Sequence, residues 1–180
     1  MKNILFILLT FFTINVSAQV KKVTLQASGL TCSMCSNAIY KALQSIDFVD
    51  KVDANIKNST FDLTFKPGSS VNFDVIKDKV EKAGFFVAQF WATIHFNNLK
   101  VQNDAPVVAN GKTMMFLQVK NQELNGDRKI KILDKGFVSS KEYKKNSSLT
   151  GKNCYKTGVA DESCVAKGID KGTRIYHVTI

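Results

Sequence analysis

The sequence predicts an α+β chain: a β-α-β-β-α-β unit of ferredoxin-like plan, followed by a β-rich half that resembles an OB-like small barrel. Three observations predict it. Apolar residues alternate at Val23, Leu25 and Ala27 and then recur at helical spacing at Ala38, Ile39, Ala42, Leu43 and Ile46. A second set of alternating and helical patterns follows between residues 52 and 90. Beyond residue 91, short strand-like runs are separated by turn dipeptides.

Taken in order, the first strand places Lys22, Thr24 and Gln26 opposite its apolar side, as a half-buried strand requires. The first helix follows. Val52, Ala54 and Ile56 alternate up to the turn Lys57-Asn58-Ser59, and Phe61, Leu63 and Phe65 complete a hairpin. Pro67-Gly68-Ser69-Ser70 breaks the chain before a second helix, where Asn72 is a natural N-cap and Val71 can staple onto Ile76. Phe73, Ile76, Val80 and Ala83 form its apolar face, and Gly84 stands where a left-handed residue would end it. Strand character resumes at Phe85, completing the plan with both helices on one face of an antiparallel sheet.

The second half carries strand-like runs at Trp91–Phe96, Met114–Val119, Lys129–Leu133 and Arg174–Ile180. Asn110-Gly111, Asn125-Gly126 and Lys135-Gly136 mark turns, and only Ser139–Lys145 looks helical. A short helix between the third and fourth strands is what makes the half OB-like. No Gly or Pro separates Phe85 from Trp91, so the halves are expected to pack as one body, with Trp91 between them. The expected division is residues 1–18 as a signal peptide, 19–90 as the first domain and 91–180 as the second.

The signal peptide rests on Lys2, the apolar run from Ile4 to Ile14 and the small residues before Gln19, with cleavage expected after Ala18. The apolar run is too short to span a bilayer, so the mature chain is expected to be soluble, in the periplasm or secreted. In an oxidising compartment each of the four cysteines should be paired, metal-bound or reactive. The net charge of +10 is uneven. Residues 19–90 hold nine Lys/Arg against seven Asp/Glu, and residues 91–180 hold fifteen against eight. Such a basic half serves solubility first; beyond that it suits acidic partners or an anionic envelope, and export argues against nucleic acid.

Cys32 and Cys35 carry the chemistry. They fall three residues apart, between the first strand and the first helix. The positive end of a helix favours a thiolate over a thiol, and thiolates select soft ions: Cu(I) first, with Hg(II) or Zn(II) served by the same pair. A closed structural zinc site would need four ligands, and two more are not evident nearby. The rival reading is a thiol–disulfide redox pair, or a protein-interaction module with the pair closed as a disulfide. Against a thioredoxin-type site stand Thr31 before Cys32 and only two prolines, Pro67 and Pro106, in the chain.

The run Gly29-Leu30-Thr31-Cys32-Ser33-Met34-Cys35, with Ala83-Gly84-Phe85 at the end of the second helix, resembles the heavy-metal-associated domain. That family includes copper chaperones, modules of copper-transporting ATPases and periplasmic mercury-binding proteins. The resemblance covers about residues 20–90. It implies that Cys32 and Cys35 are the metal ligands, that Thr31 shapes the loop and that Phe85 packs near it. Leu30 stands where the family usually has Met, a swap of similar volume. Met34, between the cysteines, reads as an exposed or lid residue. The resemblance further implies a metal-accepting or metal-transport protein as partner.

Elsewhere, Cys154 and Cys164 lie in a polar, Gly-rich stretch and are expected to form a disulfide closing an eleven-residue loop, at about 3 kcal/mol in the chain-entropy estimate. His95 and His177 are isolated in strand-like runs and read as surface or satisfied residues. Met114 and Met115 are adjacent and so point to opposite faces of a strand. No catalytic signature appears: no Ser/His/Asp set, no phosphate-binding glycine loop, no HExxH. The expectation is an exported soft-metal-binding protein that is not an enzyme, working by sequestration or hand-over.

Overall fold

The computed structural model describes residues 20–30, 33–166 and 168–180, with only the backbone of Ser33. The expected signal peptide, Thr31 and Cys32 lie outside the described residues.

Strand β1 (Val20–Ser28) leads to helix α1 (Ser33–Gln44), strands β2 (Val49–Asn55) and β3 (Thr60–Phe65), helix α2 (Phe73–Lys82) and strand β4 (Phe86–Val101). β1 lies between β3 and β4, antiparallel to both, and β2 pairs with β3. This is the ferredoxin-like order expected from the residue patterns. Val23, Leu25 and Ala27 face inward, as do Phe61 and Leu63. Phe73, Ile76 and Val80 of α2 and Ile39 and Leu43 of α1 meet them in one core. Asn72 caps α2 by accepting from the amides of Asp74 and Val75.

Three expected core positions face solvent: Ala38, Ala54 and Ile56. Ala38 is exposed on α1, and buried Ser36 takes a place on the inward face. Ile56 is 60% exposed, because β2 ends at Asn55 and the chain turns through a short 3₁₀ segment, Ile56–Asn58. β2 is an edge strand with Val49 and Val52 as its inward anchors, so the inward alternation stops at Val52, and Ala54, still within the strand, is exposed.

The second half corrects the OB-like expectation. It contains β5 (Pro106–Ala109), β6 (Lys112–Phe116), β7 (Gln122–Ile132), helices α3 (Ser140–Asn146) and α4 (Cys154–Thr157), and β8 (Ile175–Thr179). Among the described residues these strands do not close on themselves. They extend the first sheet into one open sheet of eight strands, ordered β2-β3-β1-β4-β7-β8-β6-β5. The cause is β4. At 16 residues it is long, offering one edge to β1 through Phe86–Ile94 and the other to β7 through Trp91–Val101. A register shift between Phe96 and Leu99, with Asn98 at φ 46°, bends it partway along. The expected division at residues 90 and 91 therefore falls inside a continuous strand.

β5 and β6 form a hairpin across Asn110-Gly111, both residues at positive φ as a type I′ turn requires. β8 inserts between β6 and β7, parallel to β6. Its neighbours bury it on both faces. Tyr176 and Val178 join the large core under the helices, while Ile175 packs in a second core with Met115, Leu117, Cys154 and Cys164. Met114 and Met115 are both buried, one in each core. Trp91 does not lie between the halves. It is half-buried on the sheet face opposite the N-terminal helices, with Lys129 and Lys131 Nζ 4.9 and 5.5 Å from its ring. No helix among the described residues is long and apolar enough to cross a membrane.

Candidate metal-binding loop

The loop after β1 is shaped from two sides. Gly29, at φ +86°, turns the chain out of the strand, and Leu30 packs half-buried against the core. α1 then starts at Ser33, which makes Cys35 the third helical residue, half-buried in the first turn. No acidic residue occupies that turn, so the positive helix end is left for an anionic group. Met34 is 82% exposed. Cys32 and Thr31, which would complete the loop, lie outside the described residues.

The second side comes from the end of α2. Gly84 adopts φ +89°, its amide donates to the Glu81 carbonyl, and the Phe85 amide donates to the Val80 carbonyl. This paired closure is a Schellman cap, and it fixes where the chain goes next. Phe85 is thereby set half-buried against the core, with Cδ1 3.9 Å from where a Cβ on Gly29 would stand. Phe85 thus approaches Gly29, where the chain leaves β1. Phe86 then turns outward, 68% exposed, paired with Ser28. Because space around Gly84 is open and its φ is the only constraint, Gly84→Ala should cost about 1 kcal/mol through the left-handed backbone alone. A chemical denaturation series would show it.

The other two cysteines are joined. Cys154 and Cys164 form a disulfide with Cα atoms 6.4 Å apart, both fully buried in the second core. Beside it lies a polar network that the sequence reading missed. His177, fully buried, sets Nδ1 2.7 Å from Asp134 Oδ1 and Nε2 3.5 Å from Cys154 Sγ. Arg174 Nη1 donates to the other Asp134 oxygen at 2.8 Å. Its Nε and Nη2 grip both Asp74 oxygens at 3.1 Å, and Tyr176 adds a 2.7 Å bond to Asp74. Arg174 also donates to the carbonyls of Gly158 and Ile175.

Burial by itself would raise the Asp74 carboxyl, but the Arg174 and Tyr176 hydrogen bonds outweigh it and hold the group below the usual carboxylate range. For Tyr176, burial and the Asp74 carboxylate both push the phenol upward, so it stays a donor. These contacts tie α2 of the first half to β8 of the second. His95 has a different setting: it is half-exposed, with Nδ1 2.6 Å from Asp127, which also pairs with Lys21. Among the described residues, no group of three or more His, Cys, Asp or Glu is arranged to hold a metal ion.

Residues 24–86 match the heavy-metal-associated domain. The copper chaperone CopZ of Staphylococcus aureus is 32% identical over 63 residues, covering 35% of this chain and 91% of the chaperone. A copper-exporting P-type ATPase of Staphylococcus saprophyticus is 33% identical over 61 residues, covering 34% of this chain but only 8% of the ATPase. Oxidized MerP from Ralstonia metallidurans superposes with a TM-score of 0.36 at 26% identity, covering 39% of this chain and 96% of MerP. With its strand order, its loop at the start of α1 and its coverage of nearly the whole of a copper chaperone, the chain belongs to the heavy-metal-associated domain family.

Proposed function

We propose that this chain is an exported carrier of a soft metal ion, Cu(I) before Hg(II) or Zn(II), held by the thiolates of Cys32 and Cys35. The carrying observation is the match of residues 24–86 to the family, together with the place of Cys35 in the first turn of α1. A relative of nearly the same domain length is a copper chaperone, which supports Cu(I) as cargo. Two sulfur donors leave the ion under-coordinated, so an incoming thiolate or thioether adds first and one resident sulfur then leaves. Hand-over needs no bond chemistry beyond this exchange. Exposed Met34 and Phe86 give the neighbourhood an apolar surface for a metal-accepting protein to meet.

Export rests on the sequence of residues 1–18 and places the pair where it must stay reduced or loaded to work. Thr31, Met34 and Phe85 support the loop in this reading, and the basic second half selects acidic surroundings.

Titrating the reduced protein with Cu(I) against a chromophoric competitor should give about one tightly held ion at this pair. Cys32→Ser with Cys35→Ser should remove that ion. An undiminished stoichiometry in the double variant would place the cargo elsewhere and overturn the reading.

A further inference from the structure

Trp91 gathers two cations on a part of the sheet that no described helix covers. α1 and α2 pack on one side, and the core that includes Tyr143 of α3 and Tyr155 of α4 covers the other side over β6 and β8. Trp91 and its cross-strand partner Lys131 lie beyond that cover on β4 and β7, next to Thr93 and its partner Lys129. Both ammonium groups are drawn to the indole, Lys129 Nζ at 4.9 Å and Lys131 Nζ at 5.5 Å from the ring centroid. Two like charges held at one ring repel each other, and each favours an anion beside it.

The kind of anion is visible in the contacts. Lys131 Nζ donates to Glu142 Oε1 of α3 at 2.5 Å, so a carboxylate arriving from above the sheet already fills one of the two positions. Lys129 is exposed and makes no ion pair among the described residues. Lys141, Lys144 and Lys145 are exposed on α3 and are likewise without an ion pair among the described residues, so the surplus around the ring is positive. Lys129 and Lys131 stand two residues apart on β7, which spaces them about 6.8 Å apart on the same face. An extended peptide repeats its side chains on one face at that same interval, so carboxylates at alternate positions match the two lysines in step.

We propose that Trp91, Lys129 and Lys131, with α3 as a basic wall, form a docking surface for an extended acidic segment of another protein that carries Asp or Glu at alternate positions. One carboxylate pairs with Lys129, and the next displaces Glu142 from Lys131. α3 stands above the sheet on this side, so a flat bilayer would meet the helix before it reached Trp91. One aromatic residue offers no succession of stacking platforms for a nucleic acid strand. The surface stands whether or not Cys32 and Cys35 carry a metal.

Trp91 is the only tryptophan in the chain, so its fluorescence reports on this surface alone. The full chain, free of metal, is titrated with a short peptide of alternating Asp and Ser blocked at both ends, and calorimetry follows the same titration without relying on the indole. Saturable binding that weakens as salt is raised from about 20 to 200 mM is expected, with none of the corresponding peptide of Asn and Ser. Lys129→Gln should weaken binding about fivefold, and Glu142→Gln, by freeing Lys131, should tighten it by a similar factor. Lys129 is exposed and Glu142 half-exposed, so neither substitution opens a core, and thermal unfolding checks that both variants fold. Vesicles of phosphatidylglycerol serve as the rival ligand. No binding of the Asp peptide, equal binding of the Asn peptide, an affinity unmoved by Lys129→Gln, or binding of the vesicles in place of the peptide would each overturn the proposal.

Discussion

Arg174→Ala should lower the stability of the protein by about 3 kcal/mol, one of the two largest losses expected from a single substitution here. Its side chain satisfies Asp74 through two bonds and Asp134 through a third, and it lies 4.1 Å from the Tyr176 ring. Removal leaves Asp134, whose side chain is 5% exposed, without its cationic partner. Arg174 and Asp74 are each about one-third exposed, which sets the cost toward the lower end of the range for a broken buried pair. Lysine cannot grip both Asp74 oxygens and reach Asp134 together, so Arg174→Lys should recover less than half of the loss.

The pH dependence of that loss has a definite sign. The Asp74 carboxyl is held low in the folded state, so its contribution is fully present above the ordinary carboxylate pKa and fades as pH falls through the folded value. The parent protein therefore loses the Arg174–Asp74 stabilisation below about pH 4, and the gap between parent and Arg174→Ala should narrow there. Thermal unfolding of both proteins between pH 3 and 7 checks this. A gap constant across that range would mean that the Asp74 charge contributes nothing.

Phe90→Ala should cost a similar or larger amount, about 3–5 kcal/mol. Phe90 is fully buried on β4, edge-on to Phe73 of α2 at 5.5 Å and to Phe137 of the second half at 5.1 Å. Phe73 and Phe137 in turn both contact the Tyr176 ring. Truncating Phe90 opens a hole between elements that other contacts hold in place, so the site cannot collapse to fill it. The next residue supplies the control. Trp91 faces the other side of the sheet, half-exposed under two lysines, and Trp91→Ala should cost less than half as much. Equal losses at the two positions would contradict the facing assigned to β4. Denaturant midpoints for both variants decide it.

Local signals in the sequence located the βαββαβ unit well. Asn72 and Gly84 bound α2 through caps that depend on residues two to four positions away, and Val23, Leu25, Phe61 and Leu63 reveal their strands by alternation alone. β5 was missed because four residues starting with Pro106 are too short to show a period. The joining of the two halves into one sheet depends on both edges of β4, a pairing fact with no local signature. For the same reason the Asp74–Arg174–Asp134–His177 network was invisible. Its partners are 40 to 100 residues apart, and His177 read singly looks like any strand histidine. On the N-terminal site the sequence speaks for Cys32 and Cys35, while the structure supplies the setting of Cys35, Met34 and Phe85.

β4 has one more consequence. A domain tethered by a flexible linker samples many directions, and its partner meets it at a rate set by linker length. Here a single strand carries both halves of one sheet, and the Arg174–Asp74 pair pins α2 from the other side. The first turn of α1 is thus held at a fixed bearing to the lysine-rich half. The loop is thereby presented at one angle to that half, and lengthening β4 would change that angle rather than any reach.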